Sequence, residues 1–153
     1  MKTELDWQNR LNPRFVKHLH TLQPTLERLL SVPSFKVTAL PKDMPASGVY
    51  LFSENGRHLY VGRTRNLRRR LKDHCRGDRN TASFAFLLAR KKTGNLRRRA
   101  YTSDGSCAYL MRQGSFRTVF FAQVERVKQM DVRFVKERHP IGKRSWNCML
   151  RAC

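Results

Sequence analysis

The sequence predicts an α+β domain: a small three-stranded antiparallel sheet flanked by helices and preceded by an N-terminal helical segment. Three observations lead there. Val49, Leu51, Leu59 and Val61 alternate with Tyr50, Phe52, His58 and Tyr60 on either side of Asn55-Gly56, the pattern of two half-buried strands joined by a hairpin turn. Segments before and after this hairpin carry apolar residues at helical spacing. Near the other end, Val132-Arg133-Phe134-Val135-Lys136 returns to strand character, and we place it as a third strand against the hairpin.

Residues 1–45 read as a helical extension and connector. Asn12-Pro13 is a cap followed by a first-turn proline, after which Phe15, Val16, Leu19 and Leu22 recur at helical spacing. Pro24 interrupts, and Leu26, Leu29 and Leu30 resume the stripe. His18 and His20 lie two apart on a helix and face different ways, so they read as surface residues and not as a metal pair. Pro33, Pro41 and Pro45 mark the connector into the first strand.

The hairpin has two available registers. A two-residue Asn55-Gly56 loop pairs Glu54 with Arg57 and sends Tyr50 and Tyr60 to opposite faces. A three-residue Glu54-Asn55-Gly56 loop pairs Ser53 with Arg57 and Tyr50 with Tyr60, and gathers Val49, Leu51, Leu59 and Val61 onto one apolar face. The apolar grouping favours the second. Beyond it, Asn66 is placed to cap a helix on which Leu67 and Leu71 face the sheet while Arg70 and His74, four apart, share a neighbouring face. Two phenols, an arginine and an imidazole then converge at one edge.

After a polar loop from Arg76 to Asn80, Phe84, Leu87 and Leu88 predict a short buried helix ending before Gly94. The basic run from Asn95 to Arg99, followed by Tyr101, suits either phosphate contact or a solvated loop. Phe116, Phe120, Val124 and Val127 then mark one face of an amphipathic helix reaching Met130.

Composition narrows the partner. Across 153 residues, 32 Lys+Arg against 11 Asp+Glu give a formal charge of +21, which calls for a polyanion, most naturally nucleic acid. The four cysteines, Cys75, Cys107, Cys148 and Cys153, form no CxxC pair, and no secretory signal opens the chain; reduced thiols and a cytoplasmic location are the expectation. A zinc site from His74, Cys75 and the two C-terminal cysteines lacks the spacing of a known cluster. The apolar run near Ser83 to Ala89 is far too short to span a bilayer, so no membrane role is expected.

The residues from about Ala46 to Arg90 resemble the GIY-YIG endonucleases. The family's two name-giving motifs stand here as Gly48-Val49-Tyr50 and Tyr60-Val61-Gly62 at the usual spacing, and Arg70 and His74 match its helical arginine and histidine. Arg63 falls where many members, especially those similar to the N-terminal domain of excision-repair nucleases, carry a lysine. The resemblance implies a nuclease domain over 46–139, with Tyr50, Tyr60, Arg70 and His74 catalytic. Gly62, Arg63, Arg65, Asn66 and Arg69 are then expected to meet the substrate backbone. Tyr50 would be the base or water-positioner, Tyr60 its support, Arg70 the phosphate clamp and His74 an aid to proton transfer. A phenol ionises only near pH 10 unaided, so positive charge beside Tyr50, from Arg63, Arg70 and a metal, is expected.

Family members generally use a divalent metal, Mg²⁺ or Mn²⁺, held by a glutamate on a helix after the third strand, and carry an asparagine near the domain end. No carboxylate follows Glu137 in this chain, and residues 140–153 read as a divergent or truncated basic tail. An alternative alignment puts Asp131 at the metal position on a helix, with Asn147 as the terminal asparagine. Two functions therefore stand: a DNA endonuclease hydrolysing phosphodiester bonds with one divalent metal, or a nucleic-acid-binding module that has lost cleavage with its metal glutamate. The oligomeric state is left open by the sequence.

Overall fold

In a computed structural model that describes residues 23–97 and 106–136, the chain forms three strands and five helices. The calls on Asn12-Pro13, His18, His20, Tyr101, Asn147, Cys148 and Cys153 lie outside the described residues. Helix α1 (23–31) leads through a short 3₁₀ turn, Val37–Ala39, into β1 (Gly48–Glu54) and β2 (Arg57–Thr64). Helices α2 (Leu67–His74), α3 (Ser83–Lys92), α4 (Cys107–Arg112) and α5 (Gly114–Gln129) follow, and β3 (Asp131–Lys136) closes the sheet. Strand order is β2-β1-β3 with both pairings antiparallel, so the expected third strand lies where it was placed. Gly48 pairs with Lys136, and a Cβ there would stand 2.0 Å from the Val135 carbonyl oxygen, so only glycine admits this close strand approach.

The central strand is covered on both faces. Tyr50 and Phe52 point into the main core, with Leu67, Leu71, Phe84, Phe86, Phe116 and Phe120. Val49 and Leu51 point the other way and join Leu29 of α1 and Val135 in a second, smaller cluster. Leu29 is 1% exposed, and burying such a side chain stabilises by about 1.5–3 kcal/mol. Helix α1 is thus packed onto the back of the sheet.

The hairpin register differs from the favoured expectation. Glu54 pairs with Arg57 and Ser53 with His58, but the next partners are Phe52 with Tyr60 and Tyr50 with Gly62, so Leu59 is an extra residue in a bulge. Asn55 and Gly56 both take positive φ, 50° and 76°, as a two-residue type I′ turn requires. The extra residue sits in the strand and not in the turn. Tyr50 and Tyr60 still share a face, because the bulge flips the alternation once, and they are diagonal neighbours instead of a direct pair. Leu59 leaves the Val49 face and packs against the main core.

Helix α3 also departs from its expected face. Phe84, Ala85, Phe86 and Ala89 are buried while Leu87 is 46% exposed. Phe86 sits between Phe116 and Phe120, at centroid distances of 5.2 and 5.8 Å, and Ala85 and Ala89 are small enough to let the helices approach. Helix α5 buries Phe116, Phe120, Val124 and Val127 as its periodicity predicts.

Candidate active site

Helix α2 carries the site because its ends are fixed locally. The Asn66 side chain accepts the Arg69 N–H at 3.1 Å, and Leu67 and Leu71 are fully buried against the core. That seating brings Arg70 and His74 beneath the hairpin. His74 is fully buried, its Nε2 lies 2.8 Å from Tyr50 Oη, and the rings of Phe52 and Tyr60 pack at 5.4 and 5.3 Å. The Tyr50 and Tyr60 centroids are 6.2 Å apart, and Tyr60 stacks on Phe84 at 4.5 Å.

Gly62 belongs to this geometry. A Cβ added there would meet Tyr50 Cζ at 2.1 Å, so the phenol occupies the space a side chain would fill. The glycine of the second motif is a seat for the tyrosine of the first.

Arg70 is held from the far side. It donates to Thr81 O at 2.9 Å and to Ser83 Oγ at 2.7 Å, which fixes the fork beside the phenols. Burial opposes its charge, but Tyr50 and Tyr60 more than offset this and its pKa lies above the ordinary value. Thr81 and Ser83 were not flagged by the sequence, since nothing in their spacing marks a loop that will fold back under Arg70.

The electrostatics set the resting protonation of Tyr50 and His74. Burial, and then Tyr60, push the Tyr50 phenol upward, with Arg70 pulling against them. At neutral pH Tyr50 is therefore a neutral hydroxyl. Burial, reinforced by Arg70, lowers His74 to about 3, so it is a neutral imidazole and supplies no proton of its own at pH 7. Its Nδ1 is buried without a hydrogen-bond partner.

Other nominated residues are distributed unevenly. Arg63 pairs with Val49, on the face opposite Tyr50, and the cation acting on the phenol is Arg70. Arg65 is exposed just before the cap, and Arg69 is exposed with a 3.8 Å ion pair to Asp73. Asp131 is on β3 and not on a helix, paired with Ser53 and ion-paired to Lys36 at 2.9 Å. Alternation puts Asp131 on the sheet face away from Tyr50 and Phe134, so the structure does not bring it to the cluster.

The described side chains around Tyr50 do not by themselves assemble a divalent-metal site. Among the described residues no group of three or more His, Cys, Asp or Glu side chains is placed to hold one. Asp73, the carboxylate next to His74 in α2, is engaged by Arg69 and Arg76. The zinc idea gains nothing from Cys75, whose thiol burial pushes up to about 11. Among the described residues no helix is long and apolar enough to cross a membrane.

Fold and cluster together define a nuclease-type domain acting on nucleic acid. The model of the GIY-YIG catalytic domain matches residues 46–122, half of the chain and all of the cluster just described, and the chain belongs to the GIY-YIG family. Nucleases of this family generally use a divalent metal. Neither the curated proteins nor the solved structures gave a match.

Proposed function

We propose that this protein is a DNA endonuclease that hydrolyses phosphodiester bonds at the Tyr50–Arg70–His74 cluster. The observation that carries the reading is the 2.8 Å contact between Tyr50 and His74 with the Arg70 guanidinium fixed beside both phenols. Structural packing alone would be served by a phenylalanine at each of these ring positions; a buried phenol and imidazole beside a half-buried guanidinium cost more than apolar packing, which favours a chemical role.

Each residue has a role its environment allows. Arg70 binds the scissile phosphate and opposes the charge that grows on its oxygens. Tyr50, neutral in the free protein, orients the attacking water; only phosphate-bound Arg70 and a stabilised phenolate would let it also take the proton. His74 holds the Tyr50 oxygen in place, and Tyr60, stacked on Phe84, walls the water from the core. The reading keeps Mg²⁺ or Mn²⁺ as the family's cofactor, but no step above is routed through it.

A second reading, nucleic-acid binding without cleavage, is favoured by one observation: Asp131, the carboxylate that the alternative alignment recruits, is tied to Lys36, whose neighbour Phe35 bridges Val132 at the edge of β3. Relaxation of supercoiled DNA separates the two, run beside an RNA of matched sequence. Metal-dependent nicking of DNA supports the endonuclease; salt-sensitive binding of DNA with no nicking supports the binding module, and preferential cleavage of the RNA removes DNA as substrate.

A further inference from the structure

A recess of about 720 Å³ opens between the β1–β2 turn, α3 and α5, within the roughly 300–1,000 Å³ usual for ligand sites. Arg57, Lys91 and Lys92 line it as exposed cations with no partner among the described residues. Arg126 also lines it but is committed to Glu54, to which its Nε donates at 2.9 Å. Leu59 and Leu88 supply an apolar floor.

Its position is set by the active-site elements themselves. Leu59 adjoins Tyr60 in β2, and Leu88 is four residues beyond Phe84 in α3, about 6 Å along the axis from the Tyr60–Phe84 stack. Arg57 is two register steps from Tyr60, since Leu59 is the bulged residue, roughly 7 Å along the strand. At about 3.4 Å per nucleotide along one strand of a duplex, that is a reach of about two nucleotides.

We propose that this recess is a second nucleic-acid site, which holds a nucleotide of the bound strand about two positions from the scissile phosphate. Arg57, Lys91 and Lys92 take the phosphate, and the base lies on Leu59 and Leu88. Exposed cations lining a recess with an apolar floor suit a phosphate joined to a flat apolar ring; a purely solvated basic surface has no need of the floor. The inference rests on the nucleic-acid reading above and adds where along the strand the protein grips.

The test is fluorescence anisotropy with a ladder of labelled single-stranded DNA oligonucleotides. It compares the unaltered protein, the triple variant R57Q/K91Q/K92Q and a charge-matched control, R28Q/R112Q/R117Q, whose exposed cations lie outside the recess. The unaltered protein should gain affinity as the strand lengthens past the recess. The recess variant should lose that gain, with its log K against log salt slope shallower by about 0.7, the value for one lost single-strand phosphate contact. The control should keep both. If the recess variant and the control behave alike, the recess inference is overturned while the nucleic-acid reading stands. If the unaltered protein binds no oligonucleotide, both fall. The altered side chains are exposed, and circular dichroism confirms that each variant folds.

Discussion

Tyr50 Oη and His74 Nε2 are 2.8 Å apart inside a ring of aromatics, and neither residue is more than 1% exposed. This contact joins the first strand to the end of α2 and fixes the phenol to which the proposed reaction is assigned. Replacing Tyr50 with phenylalanine leaves the imidazole with both nitrogens unpartnered, which costs about 1–3 kcal/mol of stability. Cleavage should be lost while oligonucleotide affinity stays within about twofold. Denaturant melts together with anisotropy and nicking assays check all three.

Gly62 and Gly56 provide a matched pair of substitutions. Gly62→Ala drives a methyl into the Tyr50 ring and should cost about 1–3 kcal/mol and most of the activity, because the ring must leave its contact with His74. Gly56→Ala meets no neighbouring atom, and only its φ of 76° opposes it. That strain is on the order of 1 kcal/mol, with activity unchanged. Equal activity in the two variants would show that the Gly62 seat does not matter.

Arg70→Ala removes a guanidinium anchored by Thr81 and Ser83 and placed beside both phenols. Single-turnover cleavage should fall about 10²–10³-fold, the usual loss for one donor to a developing oxyanion. Arg70→Lys should recover little, since an ammonium has no fork to bind Thr81, Ser83 and a phosphate together. Ser83→Ala, which loosens the anchor and leaves the charge, should give an intermediate rate.

Stability should depend on pH through His74. Its folded pKa, about 3, lies below the ordinary 6.5, so the unfolded chain binds the proton more readily. Its contribution is therefore complete above pH 6.5 and falls as pH drops from there toward 3, by at most roughly 5 kcal/mol. The Arg126 hydrogen bond holds Glu54 below its ordinary value, and this too weakens the fold in acid. Urea melts of the unaltered protein and His74→Gln, taken across that window, should diverge less at low pH, with the variant's curve flatter.

Legibility in the sequence followed the range of the forces involved. The Asn66 cap, the Leu67–Leu71 seat and the buried face of α5 depend on residues within a turn or two, and each stands as periodicity indicates. The register of β2 does not: Asn55-Gly56 fixes the turn, but the bulge turns Leu59 into the main core, a tertiary contact that local pattern does not report. Leu87 looked like a core residue because helical spacing reports a stripe and not its direction; the aromatic contacts of Phe86 rotate the stripe away from it. Arg63 and Asp131 appear near the site in one dimension and lie across the sheet from Tyr50 in three.

The most direct test of the account separates binding from chemistry in one experiment. Purified protein, Tyr50→Phe and Arg70→Ala are each titrated with a labelled DNA duplex, then assayed for single-turnover cleavage at saturation with Mg²⁺, with Mn²⁺ and with EDTA. The account predicts that the unaltered protein cuts with metal, that Tyr50→Phe binds as well but does not cut, and that Arg70→Ala is impaired in cutting even when saturated. Cleavage by Tyr50→Phe at the rate of the unaltered protein would contradict the central claim that this cluster is where the phosphodiester bond is broken.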